Sequence, residues 1–358
     1  NHRRIEMTTN YLDSKRISGT TADRNGTPVV SGGWKEVGRA TAGASGALNL
    51  DVTSIPDKRY YKILVNNIPS ASMTPILRVG NGSFDSGNNY APRWSANGGT
   101  DSTRTGKNTI AIDDVGLTTP NFHVGYAANL ATKEKLFLIN STGQSTAGAG
   151  TAPIRVKRAT KWANTSSVID QIQLLDEDGS GTDIGEGSEI IILGWDEDDT
   201  HTTNFWEELA SVDISTGTTS TTGTFTAKKY LWVQVYMNSS SIAYDYTFNS
   251  DTGSNYAYRK STNGGGDGET ANDSVFLSNH GFDSNPHYDN FFIVNNSANE
   301  KLVIGNRMSQ GTAGAGSAPN RQEIVGKWAN TSSQITSIQM DNAGTNFTRS
   351  FIKVWGSN

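Results

Sequence analysis

Carboxylates crowd into one stretch of this chain. Residues 176–199 hold ten Asp and Glu and no Lys or Arg. Within it, Asp176-Glu177-Asp178-Gly179-Ser180-Gly181-Thr182-Asp183 sets oxygen donors around glycines, an arrangement that hard cations such as Ca²⁺ favour. Asp176, Asp178 and Asp183 are the ligands this spacing nominates. The full calcium loop is incomplete, because Gly187 stands where the closing bidentate Glu belongs. A solvated acidic loop is the plainer reading of the same residues.

The other reactive side chains make weaker patterns. His2, His123, His201, His280 and His287 share no metal-ligand spacing. His280 and His287 lie near Asp283 and Asp289, and they read as chance loop histidines. A carboxylate pair for glycoside hydrolysis would be assembled from distant strands, and nothing in the sequence points to one. A polar set does recur: Tyr90, Arg93, Asn97 and Asp101 return as Tyr256, Arg259, Asn263 and Asp267. These residues could form a surface contact for glycan, with Tyr as a stacking platform. They could equally brace loops by hydrogen bonding, the reading favoured by their recurrence together with turn glycines.

The elements that position these groups come in duplicate. Lys161-Trp162-Ala163-Asn164-Thr165-Ser166-Ser167 returns letter for letter from Lys327 to Ser333, an offset of 166 residues. The same offset links Asn97-Gly98-Gly99 to Asn263-Gly264-Gly265, and Thr146-Ala147-Gly148-Ala149-Gly150 to Thr312 through Gly316. A constant offset marks a true repeat, and this one has the length of a domain. The expected organisation is an N-terminal arm over 1–33, copy one over 34–199 and copy two over 200–358.

Each copy reads as a series of short strands. Ala47–Val52, Arg59–Val65, Phe122–Tyr126, Lys135–Ile139, Ile169–Leu175 and Glu189–Trp195 are β-rich, with counterparts such as Lys229–Tyr236 and Ser350–Trp355. Alternation in Lys229–Tyr236 puts one face on a core and the other toward solvent or a second layer. No stretch carries a convincing helical period. The expected fold is all-β: two tandem antiparallel β-sandwiches, jelly-roll-like, of about eight strands each. Trp162/Trp328 and Trp195/Trp355 are expected as core or inter-sheet anchors. The Thr-Ala-Gly-Ala-Gly segments are expected as surface loops. Residues 1–33 show no regular period and carry a small positive charge, which suggests an extended arm laid on a neighbouring subunit.

Composition narrows the partners. The net charge is −5 and no Lys/Arg-rich run exists, so the electrostatic footprint of a nucleic-acid binder is missing. No apolar run has the length of a membrane span. The absence of cysteine leaves stability to cores, assembly or metal. The chain starts at Asn1, as a processed or partial chain would, and no signal-peptide pattern opens it.

At Ala227-Lys228-Lys229-Tyr230-Leu231, Asn255-Tyr256-Ala257-Tyr258-Arg259 and Lys327-Trp328-Ala329-Asn330-Thr331, the chain resembles uncharacterised structural proteins of tailed phages and archaeal viruses. The resemblance implies a virion component: a tail fibre, spike or capsid-associated protein on an extracellular particle. It supplies no catalytic residues. The expected role is non-enzymatic. The chain would self-assemble as a homo-oligomer with other virion proteins, turning polar loops toward a host surface glycan. The rival readings are a carbohydrate-binding cell-surface protein, an enzyme such as a glycan depolymerase, and a surface-layer or filament protein of a microbe.

Overall fold

The computed structural model describes residues 20–22, 28–30, 33–113, 116–143, 146–179, 181–197, 199, 203–238, 244–277, 286–310, 312–342 and 346–358. These residues are all-β, with antiparallel sheets in two halves and no helix. An isolated hairpin pairs β1 (Thr20–Ala22) with β2 (Pro28–Val30). This hairpin corrects the reading of 1–33 as lacking strands; most of the expected arm, and any reach to a neighbour, falls outside the described residues.

Copy one contains β3 (Lys35–Thr41), β4 (Asn49–Val52), β5 (Tyr60–Asn67), β6 (Pro75–Gly80), β7 (Tyr90–Ala96), β8 (Ser102–Thr103), β9 (Ile110–Ala111), β10 (Asn121–Ala128), β11 (Lys135–Gly143), β12 (Ile154–Trp162), β13 (Gln171–Asp176) and β14 (Glu189–Trp195). Copy two contains β15 (Glu207–Ile214), β16 (Thr219–Thr221), β17 (Tyr230–Met237), β18 (Asp245–Phe248), β19 (Tyr256–Thr262), β20 (Asp267–Asp273), β21 (His287–Val294), β22 (Lys301–Ser309), β23 (Asn320–Trp328), β24 (Ile338–Asp341) and β25 (Ser350–Ser357). Both copies therefore hold more strands than the expected eight.

In copy one, an eight-stranded sheet runs β3-β14-β5-β10-β11-β12-β7-β8, and a four-stranded sheet runs β4-β13-β6-β9. Consecutive strands from β3 to β7 alternate between the two sheets, the crossing pattern of a jelly-roll-like sandwich. Copy two repeats it, with β15-β25-β17-β21-β22-β23-β19-β20 over β16-β24-β18. Between each pair of sheets lies one apolar core. In copy one the core draws on Ile63, Val65, Ile190 and Ile192, every second residue of β5 and β14.

The residues between them point outward, and many are buried as well. Leu64, Phe122, Val124, Ile191 and Leu193 of copy one meet Tyr230, Phe292, Val294, Leu302, Ile304 and Val325 of copy two in a third apolar cluster. The two large sheets thus pack face to face, and four layers result. This explains why Ile190-Ile191-Ile192-Leu193 is apolar without alternation: β14 is covered on both sides.

The identical heptapeptide has a structural task in each copy. Trp162 and Trp328 end β12 and β23, are almost fully buried, and donate from Nε1 to Asp85 Oδ2 and Asp251 Oδ2 at 2.6 and 2.7 Å. The same aspartates receive Asn89 and Asn255 side chains and fold an Asx turn onto Gly87 and Gly253. Tyr90 and Tyr256 hydroxyls donate to the Asp85 and Asp251 carbonyls. Asn164 and Asn330 side chains cap the backbone NH groups that follow. Asp-x-Gly-x-Asn-Tyr is therefore a corner clasp closed by a tryptophan from another strand.

Burial works against ionisation of Asp85 and Asp251, yet donation by the Trp, Asn and Gly NH groups outweighs it and holds both below the usual carboxylate range. Their contribution is present above pH 4 and fades as pH falls through the depressed folded value. Asp85→Ala and Asp251→Ala should each cost about 1–3 kcal/mol in denaturant unfolding at pH 7. The difference from wild type should shrink in acid.

Candidate functional site

Residues of the two large sheets line a cleft of ≈ 520 Å³. Copy one contributes Trp34, Lys62 and Tyr126; copy two contributes Trp232, Tyr288 and Phe292 together with the carboxamides Gln234, Asn290 and Asn306. β17 places Trp232 and Gln234, and β21 places Tyr288, Asn290 and Phe292, on one face at every second position, while β22 supplies Asn306. The amides are pre-set by local bonds. Trp232 Nε1 donates to Asn290 Oδ1 at 2.6 Å, and Gln234 Nε2 donates to the Tyr288 hydroxyl at 2.6 Å.

Lys62 forms the back wall. Its ammonium lies 3.7 Å from the centroid of Phe292, with Tyr126 at 5.2 Å, Trp232 at 5.5 Å, Trp206 at 5.7 Å and Trp34 at 5.9 Å. Burial pushes the pKa of this amine well down. The negative ring faces oppose that shift, because they stabilise the charged form.

The copies are also fastened by charge. Glu189 accepts from Tyr230 at 2.8 Å and pairs with Lys229 at 3.1 Å, both from copy two, and with Arg39 at 3.0 Å. Its burial favours the neutral acid, but these partners outweigh that and depress its pKa. Across the sheets, Arg155 forks onto Asp267 at 2.6 and 3.0 Å and reaches Glu323 at 2.7 Å. Lys157 joins Glu323 at 2.5 Å. Glu323 lines the cleft, and with Arg155, Lys157 and Arg321 all bound to it, it is not poised as a general base.

Outside the cleft, the end of the copy-one sheet is apolar and open. Tyr60, Leu136 and Leu138 are 39%, 57% and 45% exposed, and Trp195 stacks on Tyr60 at 5.4 Å. Trp355 stacks on Trp232 at 4.7 Å. Neither Trp195 nor Trp355 lies in a sandwich core, which corrects that expectation. The register explains why. Trp195 pairs opposite Tyr60, whereas Trp355 pairs opposite Trp232, so the two are not structural equivalents. Of the four expected anchors, Trp162 and Trp328 are the ones in the sandwich cores among the described residues.

The recurring polar set separates into different roles. Tyr90 and Tyr256 are buried in their clasps and cannot offer a surface platform, which overturns the contact reading for both. Asn97 and Asn263 adopt positive φ and accept the backbone NH of Arg155 and Arg321. Arg93 and Asp101 stay exposed and face each other at 3.5 Å. Arg259 and Asp267 are instead consumed between the copies: Arg259 Nε donates to the Pro153 carbonyl at 2.9 Å, and Asp267 holds Arg155. They are no outward contact surface either.

The copy-one Thr-Ala-Gly-Ala-Gly segment is a surface loop as expected, with Thr146, Ala147 and Gly150 exposed. It also reaches copy two: its Thr146 carbonyl accepts from Lys327 at 2.9 Å, its Ala149 carbonyl accepts from the Asn272 NH at 2.8 Å, and its Gly148 NH donates to Glu300. The loop thus bridges the copies. Its counterpart over 312–316 is exposed, as expected of a surface loop.

His123 lies on its expected strand, β10, and is buried; His287 begins β21 and is buried, which corrects the loop reading for it. His123 bonds Ser141 and Asn121 at 2.7 Å each, and burial lowers its pKa to about 3, so it stays neutral. His2, His201 and His280 fall outside the described residues. The matching core position in copy two is Asp289, fully buried with Arg307 at 2.8 Å and bonded by the Tyr244 and Tyr246 hydroxyls. Asp176, Asp178 and Asp183 do converge, each offering a carboxylate oxygen within 4.8 Å of the others.

No family model matches the chain. No curated protein matches it either. Among solved structures, mouse laminin alpha1 chain domains LG4-5 are similar at 8% identity, over 90% of this chain and 91% of that one, with a TM-score of 0.21. The flagellar hook junction protein FlgK from Burkholderia pseudomallei is similar at 8% identity, over 78% and 44%, with a TM-score of 0.12. Likeness at these scores adds nothing to the fold read from the strands themselves. No helix among the described residues is long and apolar enough to cross a membrane.

Glu189→Ala should leave Lys229, Arg39 and Tyr230 facing a void and cost about 3 kcal/mol in thermal or denaturant unfolding at pH 7. Because the folded pKa of Glu189 is depressed, this contribution exists above the ordinary Glu value and is lost as pH falls below about 4. The variant and wild type should therefore converge in acid.

Proposed function

We propose that this chain is a non-catalytic structural and contact protein of an extracellular particle, and that its inter-copy cleft binds a saccharide on the surface the particle meets. The observation that carries the saccharide reading is the pairing of aromatic faces with carboxamides in one cleft: Tyr126, Trp232 and Tyr288 beside Gln234, Asn290 and Asn306. Sugar C–H faces stack on aromatic rings, and vicinal hydroxyls match the paired donor and acceptor of an amide. The neutralised state of Glu323 favours binding over hydrolysis, which requires two available carboxylates. Placement on a virion is supported by the sequence resemblance alone, and a microbial cell-surface or surface-layer protein would use the same cleft.

Binding of the full chain to a glycan array, followed by titration calorimetry of the best neutral oligosaccharide, tests this reading. Tyr288→Ala and Asn306→Ala should each weaken binding at least about ten-fold, the loss of one good contact of roughly 1.4 kcal/mol, with little change in melting temperature. An array without hits, or variants that bind as wild type does, would sink the saccharide reading. Co-purification of the chain with particles, as against cell envelopes, separates the two locations.

A further inference from the structure

We propose that Asp176, Asp178 and Asp183 bind one calcium ion, which pins the loop between β13 and β14. The three carboxylates come from the end of β13 and the loop after it, and their oxygens lie within 4.8 Å of one another. Oxygens on opposite sides of a calcium ion, at about 2.4 Å each, are separated by about 4.8 Å, so the set fits one coordination shell. All donors are oxygen, which suits a hard cation and not zinc.

A second observation points to a cation at this place. Asp176 is 4% exposed, and its Oδ2 is buried without a hydrogen-bond partner, while Oδ1 takes the Thr74 NH at 2.8 Å. A buried carboxylate oxygen left unpaired is costly. Among the described residues no lysine or arginine forms an ion pair with Asp176 or Asp183. A hollow of ≈ 200 Å³, lined by Ser72, Thr74, Asp176 and Asp178 among others, adjoins two of the three carboxylates and leaves room for ligand waters.

The ion would have a mechanical consequence. The loop already ties back to the β5–β6 connection, with the Ser70 NH bonded to the Asp183 carbonyl and the Gly185 NH to the Ile68 carbonyl. Its far end leads into Glu189, the acceptor that fastens the copies. Copy two has Asp341-Asn342 at the matching strand end and lacks the acidic run, so one equivalent per chain is expected.

The test is calorimetric titration of the full chain with CaCl₂, paired with melting in calcium and in EDTA. One equivalent should bind, and the melting temperature should rise in calcium. Asp178→Asn should lose both effects yet melt at or above wild type in EDTA, because removing one charge relieves repulsion. No binding heat at millimolar calcium would overturn the proposal. So would a calcium response kept by both Asp178→Asn and Asp183→Asn.

Discussion

The ammonium of Lys62 is enclosed by rings from both halves of the chain, Trp34 and Tyr126 from one and Trp206, Trp232 and Phe292 from the other. The enclosure exists only while the two large sheets stay together. Burial pushes the pKa of this amine well down, and among the described residues no carboxylate pairs with it, so the rings are the groups that favour its charged form. Around it, the apolar cluster from Leu64 to Ile304 removes the outer faces from water, and Glu189 and Glu323 tie the periphery. The cleft is lined by the same two sheets, so its shape depends on the same docking.

Equivalent positions meet across this interface. Lys62 lies against Trp232, its counterpart by strand register, and Lys157 pairs with Glu323, 166 residues later. That is the mark of a pseudo-twofold packing between duplicated units. The twofold is incomplete. Glu300 and Lys327 grip the copy-one Thr146–Gly150 loop, while Glu134 and Lys161 pair with each other at 2.8 Å. Arg259 and Asp267 are committed between copies, while Arg93 and Asp101 pair with each other at the exposed surface. Duplication supplied two identical surfaces, and divergence made one side internal.

Much of the architecture was legible in residue order. The constant offset revealed two copies, and period-two runs located most long strands. β12 and β23 were harder, because Ile-Arg-Val-Lys-Arg-Ala-Thr-Lys-Trp mixes cations with small residues and has no clean apolar alternation. The clasp had a signal that composition hides: Asp85-x-Gly87-x-Asn89-Tyr90 returns at Asp251 with the same spacing. The cleft had none. Its walls come from residues as distant as Trp34 and Gln322, joined only by how two finished sandwiches dock. The acidic convergence was the exception, because its ligands sit within eight residues of one another.

The central claim is that the two sandwiches behave as one body through their sheet faces. Scanning calorimetry of the intact chain measures this directly. Joint docking predicts a single unfolding transition whose calorimetric and van 't Hoff enthalpies agree. Two resolved transitions, each with the enthalpy of half the chain, would contradict it.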